Sequence, residues 1–131
     1  TINKKYLLQL RDGKKNIFFP GFWGLFGGRL DKNELHFKAI KREIKEETNL
    51  DVKIIRKILT VDFSMIGLRK KRNLIYFDCT VLNNNKIILN EGQKYNFFSF
   101  SQIRKLKIVP MDFVAINCHY HKKKNFISFY R

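Results

Sequence analysis

Apolar positions recur along this chain at two periods, and the switches between them mark its elements. Tyr6 to Arg11 reads as a strand, followed by a turn at Asp12-Gly13 with Lys14-Lys15. Ile17 to Phe26 is aromatic but broken by Pro20-Gly21 and Gly24, which predicts short extended pieces joined by a tight turn. Gly27-Gly28 ends that stretch, and Asp31 to Asn33 is a polar loop. From Leu35 or His36 to Thr48 the spacing becomes helical. Val52 to Phe63 is β-branched and long enough for a strand with a bend, and Leu74 to Leu82 predicts another strand after the basic loop Arg69 to Arg72. Asn83-Asn84-Asn85 is a turn, Lys86 to Leu89 a short strand, and Phe97 to Phe100 a strand end. Ser101 is a candidate N-cap for a short helix to Leu106, and Pro110 to about His121 predicts a final helix with proline at its start. Strands mixed with two main helices point to a layered α/β or α+β domain.

Composition narrows the class. The chain has 131 residues, 44% hydrophobic and 29% charged, which is enough for one folded domain over 1–131. No Pro/Gly/Ser-rich linker divides it. No apolar run reaches the roughly 18 residues that cross a bilayer, so no membrane partner is expected. Thr1 to Arg11 lacks the apolar core of a signal peptide. Cys79 and Cys118 lie far apart without metal-site spacing and read as two reduced, buried thiols. A cytoplasmic location is the expectation from these features.

Charge then points to an anion. Lys and Arg number 27 against 11 Asp and Glu, a formal net charge of +16, which suits a nucleotide, a nucleic acid or an acidic membrane surface. The acids are more informative. There are five glutamates, Glu34, Glu43, Glu46, Glu47 and Glu91, and four of them fall within fourteen residues. On a helix, Glu43, Glu46 and Glu47 share an arc of about 100°. Phe37, Ile40 and Ile44 take an adjoining arc that can face a core, and Lys38, Lys41, Arg42 and Lys45 take a third. Three carboxylates on one arc repel one another. Either a hard divalent cation relieves them, or they form a solvated face paired with lysines. Just upstream, Gly27-Gly28 is either an ordinary tight turn or a place where backbone carbonyls approach a ligand.

These residues carry a resemblance. Gly28, five residues, Glu34, seven residues, then Arg42-Glu43-Ile44-Lys45-Glu46-Glu47-Thr48-Asn49-Leu50 resembles the Nudix box of the Nudix hydrolase superfamily. Every fixed position fits except Asn49, where the family usually has Gly. Asn is the next most tolerant residue for a left-handed helix end, so the site should survive the change. The preceding Phe19 to Gly27 also resembles the family's approach strand. The resemblance implies a Nudix-type α/β/α sandwich with a mixed central β-sheet, and Mg2+-dependent hydrolysis of a nucleoside diphosphate linked to another group, with Mn2+ as a substitute ion. It implies Glu43, Glu46 and Glu47 as metal ligands with the Gly28 carbonyl as a further one. It implies Glu34 and Arg42 as the salt bridge that fixes the loop on the helix, and Glu43 or Glu46 as the base.

Outside the box the pattern thins. Glu91 is either one more metal ligand from a later loop or a surface turn residue. Trp23 can stack on a base, and Asp112 can either pair with a base or cap the last helix. Arg69 opens a basic cluster that either binds phosphate or is simply solvated. His119 and His121 read as surface residues that complement the helix dipole. The leading expectation is a nucleotide pyrophosphohydrolase releasing a nucleoside monophosphate. The rivals are a Nudix hydrolase acting on RNA 5′ ends and a non-catalytic Nudix-fold binding module. Homodimers are common in the superfamily.

Overall fold

The computed structural model describes residues 5–13, 19–27, 35–63, 72–82, 86–90 and 92–121, the side chains of 61–63 and 72–73 excepted. Its elements are β1 (Lys5–Leu10), β2 (Trp23–Gly24), α1 (His36–Thr48), β3 (Val52–Phe63), β4 (Arg72–Val81), β5 (Lys94–Ser99), α2 (Phe100–Ile103) and α3 (Pro110–His121). Among the described strands, β1 lies between β2 and β5 in one antiparallel sheet, and β3 pairs with β4 in another.

Local chemistry accounts for each element. The expected bend in β3 takes the form of two register shifts against β4, at Ile54/Arg56 and Lys57/Leu59. β2 is short because its groups serve another segment as well. Trp23 N–H donates to the Lys107 carbonyl at 2.8 Å, and its carbonyl accepts from Val109 at 2.9 Å. Gly24 beside it must be small: a Cβ there would meet Asp112 Oδ2 at 3.0 Å and Val109 Cγ2 at 3.3 Å.

α3 is the element that joins the two sheets. Its Ile116 packs with Tyr6, Leu8 and Ile103 on the β1 side. Its Ala115 and Cys118 pack with Ile58 and Leu59 of β3. One helix therefore closes two apolar clusters, which burial of several large side chains at a few kcal/mol each makes the main stabilising feature.

Three expectations need correction. Residues 86–89 form no strand; the Ile88 N–H goes to the end of α1 instead of a neighbouring strand. The short helix is capped by Ser99, not Ser101: Ser99 Oγ accepts from Gln102 N–H while the Gln102 side chain accepts from Ser99 N–H. Phe37 points outward at 45% exposure, so the inward face of α1 is built from Ala39, Ile40 and Ile44 together with Glu47 and Thr48. Of the two thiols, Cys118 is buried but Cys79 only half-buried, and burial pushes the Cys79 thiol up to about 11. Among the described residues, no helix is long and apolar enough to cross a membrane.

Candidate active site

The acidic arc of α1 is graded by depth. Glu46 is 59% exposed and Glu43 only 17%. Glu47 is 4% exposed. Three carboxylates within five residues thus run from water into the protein, because the arc lies next to the face that buries Ala39 and Thr48.

Arg42 is the cation that answers this charge. Its Nη1 lies 3.0 Å from Glu43 Oε1 and 3.1 Å from Glu46 Oε2. Sequence spacing put Arg42 on the basic arc, but its side chain is long enough to reach across. Lys45 turns the other way, to Asp51 at 3.3 Å. Glu34, the other expected partner of Arg42, lies outside the described residues.

The end of α1 is held with equal care. The last four carbonyls of a helix have no partner within it. Here Asn49, in the left-handed conformation at φ 67°, donates its N–H to the Lys45 carbonyl at 2.9 Å. Asn90 donates its side-chain amide to the Glu46 carbonyl and its backbone N–H to the Glu47 carbonyl at 3.1 Å. Ile88 N–H donates to the Thr48 carbonyl at 3.0 Å. The Asn49 side chain returns the contact, donating to the Lys86 carbonyl at 3.2 Å. Asn therefore serves at the one position that departs from the box, and adds a bond that Gly cannot make.

The donor set fits a hard divalent cation. Glu43, Glu46 and Glu47 offer carboxylate oxygens only, the ligands such ions prefer. Among the described residues no three such groups converge on one point, and the Glu43 and Glu46 oxygens that face Arg42 are turned along the helix. Glu46, being exposed, has the freedom to turn. Gly28 and Glu91, the other expected metal ligands, lie outside the described residues, as does Arg69.

Two polar clasps on α3 face the same strand. Asp112 in the first turn accepts from Leu25 N–H at 2.9 Å and from the Tyr76 hydroxyl at 2.6 Å. Burial pushes its carboxyl above the usual range, although Tyr76, Leu25 and Arg11 each pull it back. It thus joins the end of β2 to β4, in addition to any role toward a ligand. Two turns later, His119 Nε2 lies 3.0 Å from Asp78 Oδ1, and Tyr6 Oη lies 2.6 Å from His119 Nδ1. Burial, with Asp78 and Tyr120 nearby, raises the Tyr6 hydroxyl to about 12, so it stays protonated. His119 is therefore a bridging residue inside the fold and not the surface residue expected. Spacing puts Asp112 and His119, seven apart, on one helix face and Tyr76 and Asp78 on one strand face, but does not say that the two faces meet.

Trp23 sits edge-on against Phe98 at 4.8 Å between ring centres, with Lys94 Nζ 5.8 Å from its ring. A cavity of about 160 Å³ lies under α1, walled by Ile40, Ile44, Ile58, Phe77 and Ile116, with Tyr6, Asp78 and His119 at its polar side. Neither Trp23 nor Asp112 lines it.

Comparison with known proteins shows the family and the fold. The family model described as NUDIX domain matches residues 2–116. The chain is 37% identical over 117 residues to the nucleoside triphosphatase NudI of Escherichia fergusonii, covering 82% of this chain and 78% of that one. It is 26% identical over 111 residues to the mouse oxidized purine nucleoside triphosphate hydrolase, covering 85% and 70%. The crystal structure of a MutT protein from Methanosarcina mazei Go1 superposes with a TM-score of 0.74 at 24% identity, over 90% of this chain and 83% of that one. The fold is accordingly the α/β fold of that group. With its box on α1 and a matching domain over most of its length, the chain belongs to the Nudix hydrolases and is a pyrophosphohydrolase.

Proposed function

We propose that the chain is a Mg2+-dependent hydrolase that cleaves the diphosphate bond of a nucleoside triphosphate, or of a nucleoside diphosphate derivative, releasing a nucleoside monophosphate. The observation that carries this reading is the graded acidic arc of α1, with Glu43, Glu46 and Glu47 at successive depths and Arg42 across two of them. The E. fergusonii relative, described as a nucleoside triphosphatase, supports the substrate class.

In this mechanism Glu43, Glu46 and Glu47 would hold the cation, with the Gly28 carbonyl and Glu91 proposed as further ligands. When bound, the ion supplies charge neutralisation at the phosphate oxygens. Glu43 or Glu46 takes the proton from the attacking water. The two carboxylates share Arg42. Arg42 keeps both oriented before substrate arrives, and Glu34 is proposed as a further partner through which it would hold the preceding loop. Glu47, packed into the protein, cannot swing away and fixes the inner edge of the site. Trp23 and Asp112 are proposed to meet the base half of the substrate and Arg69 the phosphates. Mn2+, a divalent ion with similar oxygen chemistry, substitutes for Mg2+.

A panel of nucleoside triphosphates, nucleoside diphosphate sugars, dinucleoside polyphosphates and 5′-triphosphorylated RNA, incubated with Mg2+ and resolved by product, tests the reading. The expected product is a nucleoside monophosphate from one of the small substrates. Release of orthophosphate alone, or turnover confined to RNA, would replace it.

A further inference from the structure

The segment 86–90 has no strand partner among the described residues, yet its donors are spent with a pattern. Three of the four carbonyls at the end of α1 are met from it, and those of Glu46 and Glu47 are met by one residue, Asn90. These two residues carry the exposed and the buried ends of the acidic arc. The Asn90 side-chain amide holds the Glu46 carbonyl and its backbone N–H holds that of Glu47, so one residue fixes the backbone from which both carboxylates start. It also does so from outside the helix, so the helix end cannot fray without breaking this contact.

We propose that Asn90 is a positioning residue for the cation site, acting through the backbone of Glu46 and Glu47, with Asn49 as its anchor. Asn49 ties the same segment to the helix from the other side, through its amide and the Lys86 carbonyl at 3.2 Å. The replacement of the box glycine by asparagine and the clasp from 86–90 are then one device. The asparagine that occupies the left-handed position recruits the segment that holds the helix end. The inference rests on the reading of Glu43, Glu46 and Glu47 as the metal-holding set. Outer contacts that orient metal ligands change affinity by about 10-fold or more when removed.

The test uses the full chain and Mn2+ alone as the probe, with free Mn2+ followed by electron paramagnetic resonance. Asn90→Leu keeps the bulk, adds no charge and removes the amide donor; it is expected to weaken Mn2+ binding about 10-fold. Asn90→Gln restores the donor one methylene further out and should recover part of the loss. Asn49→Gly keeps the left-handed backbone without the tie to Lys86, and should show a smaller weakening. Ile103→Val, in the core at the end of α2, lowers thermal stability in the same experiment and should leave Mn2+ binding at the wild-type value. Asn90→Leu that binds Mn2+ as the wild type does overturns the proposal while leaving the acidic site intact. So does Ile103→Val weakening binding as much as Asn90→Leu, since that would make the effect one of stability alone. Should Asn90→Leu not fold, Asn90→Gln and Asn49→Gly carry the comparison, and wild-type affinity in both overturns it. A wild-type chain that binds no Mn2+ at all removes the site reading and the proposal with it.

Discussion

Asp112 holds a charge where its surroundings disfavour one. Its carboxylate accepts two hydrogen bonds, yet burial outweighs them and its protonation is shifted upward. The sign of the linkage follows. A carboxyl whose folded pKa exceeds its unfolded value near 3.8 favours folding in its protonated form. That contribution is fully present below the unfolded value and is lost as pH rises through the folded one. Asp112→Asn removes this dependence and turns an amide toward one of the two donors, at a cost of about 1–3 kcal/mol. Urea unfolding of both proteins across the acid range should show the wild-type advantage shrinking as pH rises. An advantage that stays constant with pH would contradict the assignment. An acid at the start of a helix reads as a cap first and a base contact second. Only the position of Leu25 and Tyr76, distant in sequence, reveals the tie.

At the scale of elements, α3 is pinned at both ends, and its second pin is the more demanding. His119 bridges Tyr6 of β1 to Asp78 of β4, so its loss leaves two groups with a partner missing. His119→Leu is expected to lower stability by about 2 kcal/mol. Tyr6→Phe should cost about 1 kcal/mol. Because they break one chain of contacts, the double variant should fall short of the sum by roughly 0.5 kcal/mol or more. Strict additivity in chemical unfolding would dissolve the bridge as a unit. Elements differed in how plainly they could be read. α1 was legible from its start to Asn49, since its charges and apolar positions share one period. Phe37 misled because an aromatic at that spacing suits a core, whereas residues 35–38 at the start of α1 are all exposed. Residues 86–89 misled for another reason: Ile87 and Ile88 suit a strand, and propensity says nothing about whether the backbone's partner is a strand or a helix end. The Ser99 cap was written in the chain as serine three residues before Gln102, and a second serine at 101 drew attention from it.

The whole molecule sets a nearly neutral site in a basic shell. The segment from Gly28 to Leu50 has a net charge of +1 against +16 for the chain, so the excess lies around the box and not in it. Part of it is spent locally, with Lys94 near Trp23 and Lys107 Nζ 4.5 Å from the Phe22 ring centre. The remainder, including exposed Lys53, Arg56 and Lys57 on β3, makes a field that attracts polyphosphate anions. Fold and carboxylate arc could be read from the box because both depend on local spacing. The clasps on α3 and the lacing of 86–90 could not, because each joins residues tens of positions apart. The account stands on one claim, that the acidic arc of α1 performs the hydrolysis. Steady-state turnover of the panel's best substrate, measured over a Mg2+ titration for wild type, Glu46→Gln and Glu47→Gln, tests it directly. The expectation is a loss of at least about 100-fold in kcat for each folded variant, comparable to removing a proton-transfer group or a metal ligand. Folded variants that turn over at the wild-type rate, with the same Mg2+ dependence, would contradict it.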